Sequence, residues 1–153
     1  MNRTRVAAVL AAVGLAAAPD SKFPRASEDV SFPVTDSVRL TGDLCRPQGN
    51  GPFPAIVLMH GCGGLSFGSD GLRKVEALLC DSGYVALVVD SLSARQVPSV
   101  CNGQSPTSVE RVADALAAKK YLSTLAFVNA QRIGLVGWSH GGLTALVAWA
   151  RDS

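Results

Sequence analysis

Charge, histidine and metal-binding motifs are scarce in this sequence of 153 residues. Charged residues make up 17%, and the net charge is +2 with no basic stripe, which argues against a nucleic-acid partner. No two of the four cysteines are spaced as C-x-x-C, which argues against a zinc cluster or another metal site. Neither a glycine-rich phosphate loop nor a heptad repeat is present, so no cofactor is expected.

Hydrophobic residues are abundant, at 48%, so the chain can build a core, and its length fits one domain at most. The N-terminus has a basic segment at residues 2–5, a small apolar run at 6–18 and an A-x-A sequence at 16–18. This pattern predicts a signal peptide over residues 1–18, a mature domain over 19–153, and export to the periplasm or the exterior. The apolar run is too short for a stable membrane span. The alternative is an alanine-rich N-terminal helix.

Hydrophobic patterning predicts an α/β domain with a mostly parallel sheet and helices on both faces. Two early strands are expected, at residues 30–34 and 38–45. Three buried strands then alternate with helices, with strands at residues 55–60, 84–90 and 132–137 and helices at 69–83, 105–125 and from 142 onward. Ligands bind at the carboxyl ends of such strands.

The stretch Gly137-Trp138-Ser139-His140-Gly141 matches the pattern G-x-S-x-G between a predicted strand and a predicted helix. A serine at such a turn can expose its hydroxyl only if the chain turns sharply, and Gly137 and Gly141 remove side chains that would clash there. We therefore predict Ser139 as a catalytic nucleophile. The alternative is a glycine-rich turn with a serine that has no catalytic role.

Acyl transfer also needs donors for the negative oxygen that develops on the carbonyl. The backbone N–H of His140, at the start of a helix, is one candidate. The second is the amide of Cys62 in the loop after the first buried strand, where Gly61 and Gly63 let the backbone turn its N–H groups inward. The alternative is a glycine-rich connection without a catalytic part.

The segments LMHGCGGL, VALVVDSLSARQV and RIGLVGWSHGG, in this order, resemble the α/β-hydrolase fold and most closely the dienelactone hydrolase family. The resemblance implies a hydrolase of small esters or lactones whose triad runs nucleophile, Asp, His. Ser139 matches the nucleophile, and Cys62 and His140 match the oxyanion donors. We call the turn at residues 137–141, which holds the nucleophile, the elbow. The best-known members carry cysteine at the nucleophile position of the elbow and glutamate beside the loop histidine. Ser139 and Gly61 stand there in this chain, which favours an ordinary serine esterase.

No residue completes a triad with Ser139. His140 adjoins the serine and should point its side chain away, and His60 is expected to hold the oxyanion loop or to pack. Asp90 is expected to bind loop amides. Asp152 lies about 20 Å further along a helix, out of reach. The sequence therefore predicts the N-terminal part of a hydrolase, incomplete at its C-terminus and nearly inactive alone.

Four cysteines in an oxidising compartment permit two disulfides in three possible pairings. Cys62 and Cys101 lie in loops after neighbouring strands, which favours a bridge between them, whereas nothing places Cys45 beside Cys80. Four free buried thiols are the alternative. A non-catalytic ligand-binding domain, or a peptidase or acyltransferase on the same fold, also stays open. The sequence does not indicate the oligomeric state.

Overall fold

The computed structural model describes residues 26–66 and 69–151. The strands are β1 (Ala26–Pro33), β2 (Arg39–Arg46), β3 (Phe53–Met59), β4 (Val85–Asp90) and β5 (Val128–Gly137). The helices are α1 (Ser69–Asp81), α2 (Arg111–Ser123) and α3 (His140–Arg151), with a 3-10 turn at Ser93–Arg95. The predicted signal peptide and Asp152 lie outside the described residues. Within those residues, no helix has both the length and the apolar character needed to cross a membrane.

The five strands form one sheet in the order β1-β2-β4-β3-β5. Strand β3 lies between β4 and β5 and is parallel to both, whereas β2 pairs antiparallel with β1 and with β4. The carboxyl ends of β3, β4 and β5 therefore meet at one edge, as predicted from the alternation of strands and helices. We call this the carboxyl edge.

Helices cover both faces of the sheet, as predicted. Because side chains alternate along a strand, Val57 and Met59 of β3 face one core and Leu58 faces the other. Helices α2 and α3 pack on the first face, and α1 packs on the second through Leu72. The loops at the carboxyl edge thus follow strands that are covered by helices on both faces of the sheet.

Helix α2 begins later than predicted, at Arg111 instead of near residue 105. The preceding turn is closed by a reciprocal capping pair: the Glu110 carboxylate accepts from the Thr107 N–H at 2.6 Å, and the Thr107 hydroxyl accepts from the Glu110 N–H at 3.3 Å. The helix also departs from the usual arrangement of apolar residues inside and charged residues outside, since Leu116 is 52% exposed while Arg111 and Asp114 are fully buried. The helix turns its ionic side chains inward because they have polar partners at the carboxyl edge.

Candidate active site

The turn between β5 and α3 holds Ser139 in an unusual backbone conformation. Its φ is +50°, in the left-handed region that residues with a side chain seldom adopt, and the residue is exposed. Hydrogen bonds fix the turn on both sides: the Trp138 N–H donates to the Met59 carbonyl at 3.2 Å, and the Leu143 N–H donates to the Ser139 carbonyl at 3.0 Å. The surrounding structure therefore imposes this strained conformation.

The predicted elbow glycines are required by close backbone approaches. A Cβ on Gly141 would lie 2.6 Å from the His60 carbonyl oxygen and still closer to that of Met59. A Cβ on Gly137 would lie 2.8 Å from the Gly142 nitrogen and would collide with the carbonyl group of Gly141. Gly141 lets the start of α3 lie directly against the end of β3, and Gly137 lets it lie directly against the end of β5.

The glycine-rich loop after β3 passes beside the serine. A Cβ built on Gly61 would lie 3.7 Å from the Ser139 Cβ. The Gly64 N–H donates to the Gly61 carbonyl at 3.4 Å, which closes a turn that contains Cys62 and Gly63. The structure thus brings together the two segments that the sequence assigned to the nucleophile and to the oxyanion loop.

Cys62 ties this loop to the one that follows β4. It forms a disulfide with Cys101, with an S–S distance of 2.04 Å, and its carbonyl accepts from the Val100 N–H at 2.8 Å. In the described part of the chain, the amides of Cys62 and His140 donate no hydrogen bond to a backbone carbonyl. Both amides are thus free of backbone partners beside the elbow.

The second disulfide joins Cys45 of β2 to Cys80 of α1. Cys45 pairs in the sheet with Ala86, near the start of β4, so this bridge lies at the opposite edge from Ser139. The two disulfides therefore differ in place: one holds the candidate site and the other fastens a helix to the far end of the sheet.

His60 is fully buried, and both of its ring nitrogens are engaged. Its Nδ1 lies 2.6 Å from the Gly61 carbonyl oxygen and must donate to it, and its Nε2 accepts from the Ser91 N–H at 3.2 Å. Burial first, and then the Arg111 charge, lower the pKa of His60 to about 4. His60 is therefore neutral at neutral pH and holds the loop, as the sequence predicted.

His140 is also held by a donor. Its Nδ1 lies 3.0 Å from Nη1 of Arg111, and because a guanidinium can only donate, this nitrogen must be unprotonated. Burial, followed by the Arg111 charge, lowers the pKa of His140. The lone pair of His140 is thus already in use, and neither histidine offers Ser139 a free basic nitrogen at this site.

Asp90 binds loop amides, as predicted. Its Oδ1 accepts from the N–H groups of Leu92 and Ser93, both at 3.0 Å, and its Oδ2 accepts from the Ser93 hydroxyl at 2.6 Å. Burial raises the pKa of Asp90, but the hydrogen bonds from Ser93 and Leu92 outweigh burial, and the pKa lies below its ordinary value. This carboxylate therefore shapes the loop after β4.

Three charged residues at the carboxyl edge were missed by the sequence analysis. Arg95 pairs with both carboxylate oxygens of Asp114, at 2.7 and 3.1 Å, and also donates to the Ser91 carbonyl at 2.6 Å. Arg111 donates to the His60 carbonyl at 3.0 Å. One sequence signal could have found two of them. Arg111 and Asp114 are three residues apart, so they lie on the same face of α2, next to the apolar residues that the helix buries. Among the described residues, no three potential metal ligands cluster together.

Comparison with known proteins places this arrangement in a family. The sequence profile of the dienelactone hydrolase family matches residues 40–153. A Bradyrhizobium sp. protein named as a probable 2-oxo-3-(5-oxofuran-2-ylidene)propanoate lactonase is 33% identical over 112 residues, which cover 69% of this chain and 44% of that protein. The chain spans about half the length of the curated relatives it matches.

Solved structures agree with the fold. The dienelactone hydrolase from Anabaena variabilis superposes with a TM-score of 0.67 at 24% identity, over 83% of this chain and 58% of that one. The carboxylesterase EstE1, cloned from a metagenomic library, gives a TM-score of 0.63 at 27% identity, over 84% and 42%. The mixed sheet with helices on both faces is the α/β-hydrolase fold. The chain belongs to the dienelactone hydrolase family.

Proposed function

We propose that this chain carries the nucleophile and the oxyanion hole of a serine hydrolase that acts on small esters or lactones. Ser139 is the nucleophile, and the amides of Cys62 and His140 are the oxyanion donors. The observation that supports this assignment best is the exposed Ser139 at φ +50°, at a strand-to-helix turn beside Gly61. Strained positions of this kind are concentrated at functional sites.

In the proposed reaction the Ser139 Oγ attacks the substrate carbonyl carbon and gives its proton to a general base. The carbonyl oxygen becomes negative and is stabilised by the Cys62 and His140 N–H groups, the latter at the positive end of α3. The C–O bond to the alcohol then breaks and the base returns its proton to that alcohol. Water hydrolyses the acyl-serine by the same steps in reverse.

We place the general base outside residues 1–153, because His60 and His140 both have their lone pairs engaged. Two observations support a further segment. The curated relatives are about twice as long as the matched region. Leu143 and Leu146 of α3 are exposed beside β5, which in the described residues has a partner strand on one side only.

The proposal includes export and a lactone or ester substrate. Two disulfides within the described residues fit an oxidising compartment, such as the periplasm or the exterior, and so support the signal peptide predicted over residues 1–18. A relative at 33% identity carries the name of a lactonase, which supports a lactone or a related ester as the substrate class.

The test is kinetic and uses the protein purified from its source organism, with p-nitrophenyl acetate and a five-membered lactone as substrates. We expect Ser139→Ala to lower kcat/KM by about 10⁴-fold or more. Ser123→Ala, at the exposed end of α2, is the matched control and should change nothing. Undiminished turnover in Ser139→Ala would contradict the proposal. A native protein that binds the lactone in calorimetry without hydrolysing it would favour the ligand-binding alternative.

A further inference from the structure

Arg111 occupies the point where the two segments of the proposed oxyanion hole come closest. It is the first residue of α2 and is fully buried. Its Nη1 lies 3.0 Å from the His60 carbonyl oxygen and 3.0 Å from the His140 Nδ1. One guanidinium nitrogen thus bonds the end of β3 and the start of α3 at the same time, since it carries two N–H groups.

An ordinary stabilising ion pair does not account for this buried arginine. Asp114, three residues along α2, is paired with Arg95. Within residues 26–66 and 69–151, Arg111 makes no salt bridge and its Nε has no hydrogen-bond partner. Burial lowers the pKa of Arg111 to about 10, although the negative charges of Asp114 and Asp90 oppose this shift, and the residue stays charged at neutral pH. A buried cation with no carboxylate in direct contact is costly, so the retention of Arg111 needs another explanation.

The contacts of Nη2 indicate what the arginine holds. This nitrogen lies 3.4 and 3.5 Å from Nδ1 and Nε2 of His60. Because those nitrogens are engaged by Gly61 and Ser91, the nearly equal distances describe a contact with the ring as a whole and not a directed hydrogen bond. Arg111 therefore restrains both the carbonyl and the ring of His60.

We propose that Arg111 is a positioning residue that fixes the Cys62 and His140 amides relative to each other and to Ser139. It acts through the His60 carbonyl, two residues before Cys62, and through the His140 ring, whose proton it confines to Nε2. This inference rests on the proposed function, because it assumes that these amides form the oxyanion hole. An arginine suits this task better than a lysine because its planar fork sets the directions of its donors.

Two readouts separate a positioning role from a merely structural one. The first is histidine ¹⁵N NMR on the protein purified from its source. The charged or titratable groups that act directly on His140 are Arg111 of α2 and His60 after β3. Asp114 of α2, Asp90 at the end of β4 and Arg95 of the 3-10 turn act in turn on Arg111. We expect an unprotonated Nδ1 on His140 in the unmodified chain. Arg111→Met should give mixed tautomers and a higher pKa of His140, because a donor and a nearby positive charge are removed.

The second readout is the split between kcat and KM in the protein purified from its source. We expect Arg111→Met to lower kcat by about 10²-fold with little change in KM. Misplaced oxyanion donors stabilise the transition state less, because negative charge develops there, but they affect binding of the substrate little. Arg111→Lys should recover part of this loss because it keeps a charge and donors. Arg132→Met, at an exposed position on β5, is the matched control and should keep full activity.

The outcomes keep the two proposals apart. Turnover that survives Ser139→Ala overturns the proposed function and, with it, the role of Arg111. If Ser139→Ala is inactive but Arg111→Met keeps its kcat, the positioning role alone is overturned. A protonated Nδ1 on His140 in the unmodified chain also overturns it. If Arg111→Met fails to fold, Arg111→Lys is measured in its place. An unchanged kcat in Arg111→Lys, or a fall in kcat accompanied by an equal change in KM, contradicts the proposal.

Discussion

The carboxyl edge of the sheet and the outer face of α3 lie next to each other but are built in opposite ways. At the edge, polar side chains are buried and bonded, as with His60, Arg111 and Asp114. On the outer face of α3, Leu143 and Leu146 are large, apolar and 56% and 41% exposed. Buried polar groups normally have partners and exposed apolar groups are normally scattered, so both regions are informative.

The difference teaches which part of the proposed catalytic site this chain contains. The edge holds the serine turn, the loop beside it and the bonds between them, all within residues 26–66 and 69–151. Those described residues include no histidine with a free basic nitrogen at this edge. The chain thus carries a positioning scaffold, next to an apolar surface suited to packing against more protein.

The largest expected effects come from removing each disulfide in turn. The bridges close loops of similar length, with separations of 39 and 35 residues, so each pair of Cys→Ser substitutions should lower the free energy of unfolding by about 4 kcal/mol. Only the Cys62/Cys101 pair should also lower kcat in the protein from its source, because only that bridge holds the oxyanion loop. Urea unfolding and kinetics measure the two effects. If kcat fell equally in both variants, the two disulfides would not differ in their effect on function.

Acid should weaken the carboxyl edge through His60. Its pKa is about 4 in the folded protein and about 6.5 when unfolded. Between these values the unfolded chain binds a proton that the folded chain does not, so stability falls as the pH drops. The loss approaches about 3 kcal/mol by pH 4, and His140 adds in the same direction. Urea unfolding from pH 7 to 4 measures it. If the free energy of unfolding of a His60→Gln variant depended equally steeply on pH, His60 would not be the cause.

A smaller effect distinguishes two neighbouring glycines at the start of α3. Gly141→Ala should lower the free energy of unfolding by about 2 kcal/mol, because its Cβ would collide with the His60 carbonyl. Gly142→Ala is the matched control: its nearest neighbour, the Gly137 carbonyl oxygen, would lie 3.2 Å away. The better helix propensity of alanine should roughly offset that tight contact. Similar losses in both variants would mean that the close approach of α3 to β3 is not specific to Gly141.

The smallest effect is expected on the outer face of α3. In residues 1–153, a Leu143→Gln/Leu146→Gln variant should change the free energy of unfolding by no more than about 0.5 kcal/mol, since both side chains are already exposed. It should also bind less of a hydrophobic fluorescent dye. Leu122→Gln, at a fully buried site on α2, is the contrast and should be strongly destabilising. A large loss in the double variant would show that this face is already covered.

Local patterns in the sequence predicted the elements and the serine turn. Buried apolar runs mark β3 and β4, and the glycines around Ser139 mark a turn with close backbone contacts. The remainder depends on pairings distant in sequence. The Cys45–Cys80 bridge follows from the place of β2 beside β4, which no local pattern encodes.

The charged residues of α2 show the same limit. An arginine on a helix is normally exposed, and only the convergence of β3, α2 and α3 makes Arg111 a partner of His60 and His140. The start of α2 was predicted too early because the Thr107–Glu110 capping pair closes a separate turn before the helix.

The central claim is that Ser139 is the nucleophile, and covalent labelling tests it most directly. The protein from its source is treated with a fluorophosphonate, digested with trypsin and analysed by mass spectrometry. We predict one phosphonyl adduct, on the peptide of residues 133–151 and located at Ser139 by fragmentation. An active protein labelled at another serine, or an active protein left unlabelled, would contradict the account.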